Sequence, residues 1–358
     1  MTRMSHGRFQ EIDVLRGLAA LAVLFSHYLP YWDRYAYHIP VLVPNAVGYY
    51  AVSLFFIISG FVIFATVERC NTVLDFAVMR FSRLYPMYWV SLLISTAVSV
   101  FLAAQPFWPR GFLVNATMLQ QFLGYTHFDN VYWSLEVEMT FYFVVGGLLA
   151  AGLIRRMHGF LAVWLVLAAL WVVAFRAPGS VTTWGVVATD RRDWVALFSA
   201  FDYCPFFAIG ILFYKAWREG WTQRAAALVV LAFFVEILLA GWEGAAVTLM
   251  FTFIFWAAVK GWMRFLVNGV TLWLGTISYS LYLTHRNLGY LLLSSLHERG
   301  VGAVTSIVVA LLGALSLATV LTYAIERPAS AAIRSWYLSR RDRRALLVAA
   351  RKGDARTV

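Results

Sequence analysis

Charged side chains are scarce in this chain of 358 residues: Asp, Glu, Lys and Arg together make up 13% of it. Soluble domains average roughly 25%. Apolar residues make up 61%, and so few charges could not cover the surface of a soluble protein of this size. The composition therefore excludes an ordinary cytosolic enzyme and a disordered chain, and it indicates a polytopic membrane protein.

Cysteines are few, and metal-binding motifs are missing. Cys70 and Cys204 are the only two cysteines, too few for a disulfide framework or a cysteine-rich metal site. The sequence contains no HExxH, Walker or nucleophile-elbow motif. We therefore expect no metal ion and no phosphate-binding loop.

Acidic residues are the rarer charge: 18 Asp and Glu stand against 29 Lys and Arg, a net charge of +11. The basic residues lie in short gaps between apolar runs and in the C-terminal tail, which is typical of membrane topology rather than of a nucleic-acid groove. No nucleic-acid partner is expected. With the N-terminus in the cytoplasm, 21 basic residues fall inside and 6 outside. This asymmetry predicts an even number of spans and two cytoplasmic termini.

Long apolar runs predict an all-α fold of about ten transmembrane helices, since one span needs about 20 apolar residues. The predicted spans are 11–29, 48–67, 85–104, 132–153, 159–176, 194–215, 224–241, 245–259, 270–295 and 302–325. No loop is long enough to hold a soluble catalytic domain. Residues 1–330 are expected to form one transmembrane domain, and residues 331–358 a basic, helical cytoplasmic tail that rests on anionic lipid.

The first span contains ionisable residues, which are costly within lipid and therefore functional candidates. Arg16 and His27 are eleven residues apart, so they share one helical face, with Arg16 nearer the cytoplasm and His27 nearer the outside. Two other interpretations stay open. His27 could be an interfacial histidine, and Arg16 could pair with Asp13.

Two further motifs place polar groups at opposite ends of the spans. Arg80 and Arg83 share a face at the inner surface, where they suit phosphate oxygens or, alternatively, membrane anchoring. Glu136 and Glu138 are two residues apart near the outer end of the fourth span and point to different faces, so at most one enters a site. Glu138 shares its face with Tyr142, and a purely structural pairing stays open for it.

The ninth span contains a polar face, and the tenth is followed by a proline. The segment 278–286 places Tyr282 and His285 on the ninth span, where interhelical hydrogen bonding is the alternative role. Ser59 lies beside Gly60 inside the second span and is expected to serve helix packing. Pro328 is expected to end the tenth span, with Glu326 paired to a basic residue there.

These segments together resemble the acyltransferase-3 family of bacterial integral-membrane O-acyltransferases. The resemblance is carried, in chain order, by IDVLRGLAALAVLFSHY (12–28), SLFFIISGFVI (53–63), RFSRLYP (80–86), WSLEVEMTFY (133–142) and SYSLYLTH (278–285).

The resemblance implies transfer of an acyl group, often acetyl, from cytoplasmic acyl-CoA to a hydroxyl of an extracytoplasmic or membrane-linked carbohydrate at the bacterial inner membrane. It leaves open a separate extracytoplasmic partner protein, and a small natural product such as a macrolide as the acceptor. His27 is the expected general base, with Glu138 to orient it and Arg16 to steady the thioester or the donor arm. Arg80 and Arg83, together with Arg16, are the expected acyl-CoA ligands. The expected supporting or acceptor-side residues are Trp133, Ser134, Tyr142, Tyr282 and His285.

Two other classes of protein remain alternatives. A proton-coupled transporter of a sugar or an anion would use His27 and Glu138 as a proton relay. A lipid-linked glycan polymerase or glycosyltransferase usually has larger outer loops than this sequence provides. Neither alternative would release free CoA from acetyl-CoA.

Overall fold

The computed structural model describes residues 9–32, 46–102, 105–175 and 201–354, and within these ranges it is helical without strands. This confirms the all-α prediction. The helices are α1 (Gln10–Trp32), α2 (Ala46–Val67), α3 (Val73–Ala97), α4 (Pro109–Asn115), α5 (Trp133–Ala150), α6 (Met157–Phe175), α7 (Cys204–Glu219), α8 (Gln223–Val259), α9 (Gly269–Glu298), α10 (Ala303–Leu321) and α11 (Arg327–Asp354).

Seven helical stretches in the described part of the chain are long and apolar enough to cross a membrane. They support a polytopic membrane protein, while the count of ten spans and the side of each terminus stay predictions. Residues 194–200 of the predicted sixth span lie outside the described residues, and its remainder forms α7.

Helix α8 contains two of the predicted spans. Its 37 residues would extend about 55 Å as one straight helix, far more than the roughly 30 Å of a membrane core. Gly241 interrupts it with a φ of 70°, a conformation that glycine adopts without steric cost. Beyond this break, a β-carbon on Gly244 would lie 3.5 Å from the Glu236 carboxylate, although eight residues of continuous helix rise about 12 Å. The chain therefore folds back at Gly241.

Glycines allow two pairs of helices to approach closely. Helix α1 packs along α9, and α2 packs along α7. A β-carbon on Gly17 of α1 would collide with the backbone of Leu274 and Gly275 in α9. Gly60 of α2 and Gly210 of α7 make the corresponding contact between the other two helices. Small residues permit such backbone contact between membrane helices, and here it places the polar faces of α1 and α9 side by side.

The prediction that Pro328 ends a helix is wrong. Helix α10 passes through a π-helical turn, Thr322–Glu326, directly into α11. Pro328 directly follows this π-helical turn within a continuous helix, where the irregular hydrogen-bond pattern of the turn tolerates its missing N–H group. Helix α11 packs against α3, so the first half of the predicted tail belongs to the helical bundle. Residues 355–358 of that tail lie outside the described residues.

Candidate active site

A central cavity lies between α1, α2, α3, α5 and α9. Its polar lining residues are Arg16, Ser59, Arg80, Arg83, Ser134, Glu138, Tyr142, Ser278, Tyr279 and Tyr282. The cavity thus brings together most of the residues that the sequence singled out, although they come from five helices spread along the chain.

Arg16 occupies the α1 side of the cavity. Its guanidinium lies 3.4 Å from Asp13 Oδ1, the partner considered from the sequence, and donates a 3.1 Å hydrogen bond to Ser278 Oγ of α9. The close α1–α9 packing makes this second bond possible. Arg16 is therefore fixed by two helices while it still faces the cavity.

Glu138 faces the cavity from α5 and is held by two hydroxyl groups. Tyr142 donates to Glu138 Oε1 at 2.7 Å, and Ser59 of α2 donates to the same oxygen at 3.1 Å. Ser59, which the sequence assigned to helix packing, is thus a cavity residue, while Gly60 alone serves the packing. Glu136 points away and accepts from the backbone amides of Gln121 and Phe122. Of the two carboxylates, only Glu138 lines the cavity, and its place in an active site stays a prediction.

Arg80 and Arg83 lie on one face of α3 and line the cavity, as their spacing predicts. Arg83 forms an ion pair with Glu326 and lies 5.0 Å from the ring centre of Tyr279. The expected basic partner of Glu326 is therefore Arg83. Arg80 donates a 3.0 Å hydrogen bond to the hydroxyl of Thr66, so the two arginines have different environments.

His27 and His285 form a hydrogen-bonded pair between the C-terminal part of α1 and the middle of α9. Nδ1 of His27 lies 3.0 Å from the Val23 carbonyl oxygen, and Nδ1 of His285 lies 2.9 Å from that of Tyr282. Carbonyl oxygens only accept hydrogen bonds, so both Nδ1 atoms carry the proton. Nε2 of His285, 3.1 Å from Nδ1 of His27, is then an acceptor. This arrangement leaves Nε2 of His27 with its lone pair, as a base requires.

The predicted pairing of Glu138 with His27 does not occur among the described residues. Both side chains have other partners, because Glu138 is bound within the central cavity and His27 lies beyond it. His285 takes the orienting position that the sequence assigned to Glu138. Helical periodicity placed each residue on the correct face but could not show which helices adjoin.

Residues 9–325 of the chain match the sequence model of a protein family whose description is "Acyltransferase domain". The chain belongs to this acyltransferase family.

Curated relatives share parts of this acyltransferase. It is 28% identical to nodulation protein 10 of Rhizobium leguminosarum bv. viciae over 197 residues, which are 48% of this chain and 52% of the relative. Identity to acyltransferase MdmB of Streptomyces mycarofaciens is 30% over 146 residues, 38% of each chain. The chain is 24% identical to a putative acetyltransferase, ORF330, of Acidianus two-tailed virus over 305 residues, which are 79% of this chain and 84% of the relative. The matches thus span about half of nodulation protein 10 and less of MdmB. No solved structure matches the chain.

Tyr282 connects the cavity of the acyltransferase to the histidine pair. Its hydroxyl lies 2.6 Å from Ser134 Oγ, and its ring centre lies 6.1 Å from that of His285. Trp133, in contrast, does not line the cavity. Its ring packs against Tyr203, with 5.4 Å between the ring centres, and so supports the wall from behind.

A short turn before α5 is bound to the middle of α9, next to the histidine pair. Asp129, which is 1% exposed, accepts from the Val131 and Asn287 amides and lies 3.5 Å from the Arg286 guanidinium. Burial raises the pKa of Asp129 to about 6, although Arg286 opposes this shift. Burial also lowers the pKa of His127, in the same turn, to about 4.

No cluster of three or more His, Cys, Asp or Glu residues that could hold a metal ion occurs in the described ranges. The polar groups of the cavity are guanidinium, hydroxyl and carboxylate groups. Their chemistry suits an anionic, carbonyl-bearing substrate.

Proposed function

We propose that this acyltransferase moves an acyl group, in the first instance acetyl, from cytoplasmic acyl-CoA to a hydroxyl of an extracytoplasmic or membrane-linked carbohydrate at the bacterial inner membrane. One observation carries the proposal. A series of polar side chains extends from Arg80 and Arg83, past Arg16, to Tyr282, whose ring centre lies 6.1 Å from that of His285 in the histidine pair. The series joins an anion-binding end to a base.

The donor end of the series is the arginine-lined part of the cavity. Acyl-CoA is anionic, and Arg80 and Arg83 lie where the charge distribution of the loops predicts the cytoplasm. Arg16 lies further along the cavity, where its guanidinium suits an oxygen of the donor's thioester arm. It would hold this arm while the thioester extends on towards His27, about 16 Å further along α1.

The acceptor end is the histidine pair. Nε2 of His27 takes the proton of the acceptor hydroxyl as its oxygen attacks the thioester carbon. The carbon–sulfur bond then breaks, and the leaving sulfur receives the proton from His27. His285 accepts the Nδ1–H bond of His27 throughout, which holds the ring in place and stabilises its charged form, as the orienting group of a catalytic triad does. Direct transfer of this kind requires no acyl-enzyme.

The test is release of free CoA from acetyl-CoA by the detergent-purified protein, with polysaccharides, lipid-linked sugars and a macrolide as separate acceptors. We expect release that depends on a carbohydrate acceptor, that is lost in His27→Ala, and that persists in His158→Ala. His158 is the matched control because it lies on α6, outside the cavity lining. Release with the macrolide alone would refute the carbohydrate assignment, and absence of release with every acceptor would refute the reaction.

A further inference from the structure

A second, strongly basic cavity adjoins the central cavity at the predicted cytoplasmic end. Its charged lining residues are Arg69, Asp75, Arg80, Arg83, Arg334 and Arg341. Arg80 and Arg83 line both cavities, so the two spaces meet at these side chains. We call the second cavity the basic vestibule. Its lining holds five arginines and one carboxylate, so it favours an anionic occupant.

The outer wall of the basic vestibule is formed by α11. Arg334, Tyr337 and Arg341 follow one another at intervals of three and four residues, so they share one face of this helix. The match to the family model ends at residue 325, before α11 begins. This wall therefore belongs to the part of the chain that the family resemblance does not cover.

Asp75 of α3 holds the wall in position. It accepts from the Tyr337 hydroxyl at 2.8 Å and from the Arg341 guanidinium at 3.2 Å. Asp75 is itself fixed at the start of α3, where it shares a capping box with Thr72. The contacts order α11 against the bundle, so its arginines are presented at a defined place instead of along a free tail.

Arg80 supplies the observation that points to a ligand. Its Nε atom is buried and has no hydrogen-bond partner among the residues that the structure describes, although one terminal nitrogen donates to Thr66. A buried donor without a partner costs free energy. An anion bound between the two cavities would satisfy it, because guanidinium groups bind phosphate oxygens through parallel N–H donors.

We propose that the basic vestibule binds the phosphate groups of the acyl donor, with Arg334 and Arg341 of α11 as ligands in addition to Arg80. The proposal rests on the proposed function and identifies its donor as a phosphate-bearing thioester. Coenzyme A carries a diphosphate and a 3′-phosphate at the end opposite its thioester. With that end in the basic vestibule, the thioester arm passes Arg80 and Arg83 into the central cavity. The tail helix thus holds the donor rather than only anchoring the protein to lipid.

The test compares donors with and without phosphate groups, using the full-length protein in nanodiscs. Arg334→Gln, Arg341→Gln and the double variant are assayed with acetyl-CoA and with acetyl-pantetheine, which lacks phosphate. We expect each single change to raise the KM for acetyl-CoA about tenfold and to leave the KM for acetyl-pantetheine and both kcat values unchanged. Arg340→Gln is the matched control, because Arg340 lies on the same helix over the exposed Trp336 ring.

Arg334→Gln keeps the test decisive if loss of the Asp75 contact makes Arg341→Gln unstable. Arg334 bonds to Ser330 of its own helix, so its replacement leaves the Asp75 contacts intact. Equal effects on both donors would overturn the proposal. Effects that follow the anionic lipid content of the nanodisc, whichever donor is used, would assign the arginines to lipid phosphate and would also overturn it.

Calorimetric binding of free coenzyme A separates this proposal from the function on which it rests. Wild-type protein that binds coenzyme A, with variants that bind about tenfold more weakly, is the expected result. Wild-type and variant proteins that bind equally well would overturn the vestibule assignment alone. Wild-type protein that does not bind would overturn both.

Discussion

His285 fixes the protonation pattern of His27, so its replacement should affect catalysis more than folding. Loss of a general base costs roughly 10²–10⁴-fold in rate. We expect His27→Ala to lie in this range and His285→Ala to lower kcat by less, with a shifted pH–rate profile because the charged form of His27 loses its acceptor. Steady-state kinetics over a pH series measures both effects.

His158→Ala is the control, because it removes a histidine outside the cavity lining. It should leave the rate and its pH profile unchanged. A well-folded His285→Ala protein with the wild-type kcat and pH profile would contradict the role assigned to this residue.

The Arg83–Glu326 pair is predicted to stabilise the bundle. Glu326 is 3% exposed and also accepts from Ser280 at 2.7 Å. Glu326→Leu leaves Arg83 without its counterion, and we expect a loss of about 1–3 kcal/mol in the free energy of unfolding. The double change Arg83→Leu with Glu326→Leu should recover most of the stability, because a removed ion pair is often replaced without cost by apolar packing. Thermal unfolding in detergent tests this; equal midpoints for the two variants would argue against it.

Asp129 makes a pH-dependent contribution to stability. Folding raises its pKa from 3.8 to about 6, so the native state holds this proton more tightly than the unfolded chain. The contribution is fully present below about pH 4 and is lost as the pH rises through 6. Asp129→Asn removes this contribution at every pH. The melting temperature of the variant, relative to that of the wild type, should therefore rise between pH 4 and pH 7. A constant difference across that range would show that Asp129 does not titrate in this way.

The α1–α9 contact is the helix pairing on which both ends of the site depend. It joins Arg16 to Ser278 and His27 to His285. Gly275→Val should separate the helices, since a β-carbon there would collide with the backbone of Asp13. We expect lower folding yield and a loss of acyl transfer.

Gly147→Val is the matched control for that change, because a β-carbon on this exposed α5 position meets no atom within 4 Å. Yield and transfer activity are measured together. Equal yields and activities for the two variants would show that the α1–α9 approach does not determine the site.

The helices show what a single sequence can and cannot predict. Apolar run length located most of them, and spacing placed Arg80 with Arg83 and separated Glu136 from Glu138, since periodicity fixes faces within one helix. Partners across helices depend on which helices adjoin, and so the His27–His285 pair and the Ser59–Glu138 bond were missed. The prediction for Pro328 was wrong because a proline also occurs within a continuous helix where a π-helical turn interrupts the regular hydrogen-bond pattern.

The whole molecule is proposed to work across the membrane, with donor and acceptor on opposite sides. Its loop charges predict that the basic vestibule faces the cytoplasm, while the histidine pair lies near the other end of α1. Since the phosphate groups of acyl-CoA are charged and do not cross lipid, they would stay at the basic vestibule while the thioester arm extends through the bundle to the acceptor hydroxyl.

Vesicles of known orientation test this claim most directly. Labelled acetyl-CoA is added outside inside-out vesicles that contain the protein and a trapped carbohydrate acceptor. Right-side-out vesicles, and inside-out vesicles with the His27→Ala variant, are treated in the same way as controls. The account predicts label on the trapped acceptor in the inside-out wild-type vesicles and none in the two controls. Label only on acceptor added to the same side as acetyl-CoA, or equal labelling in both orientations, would contradict transfer through the bundle.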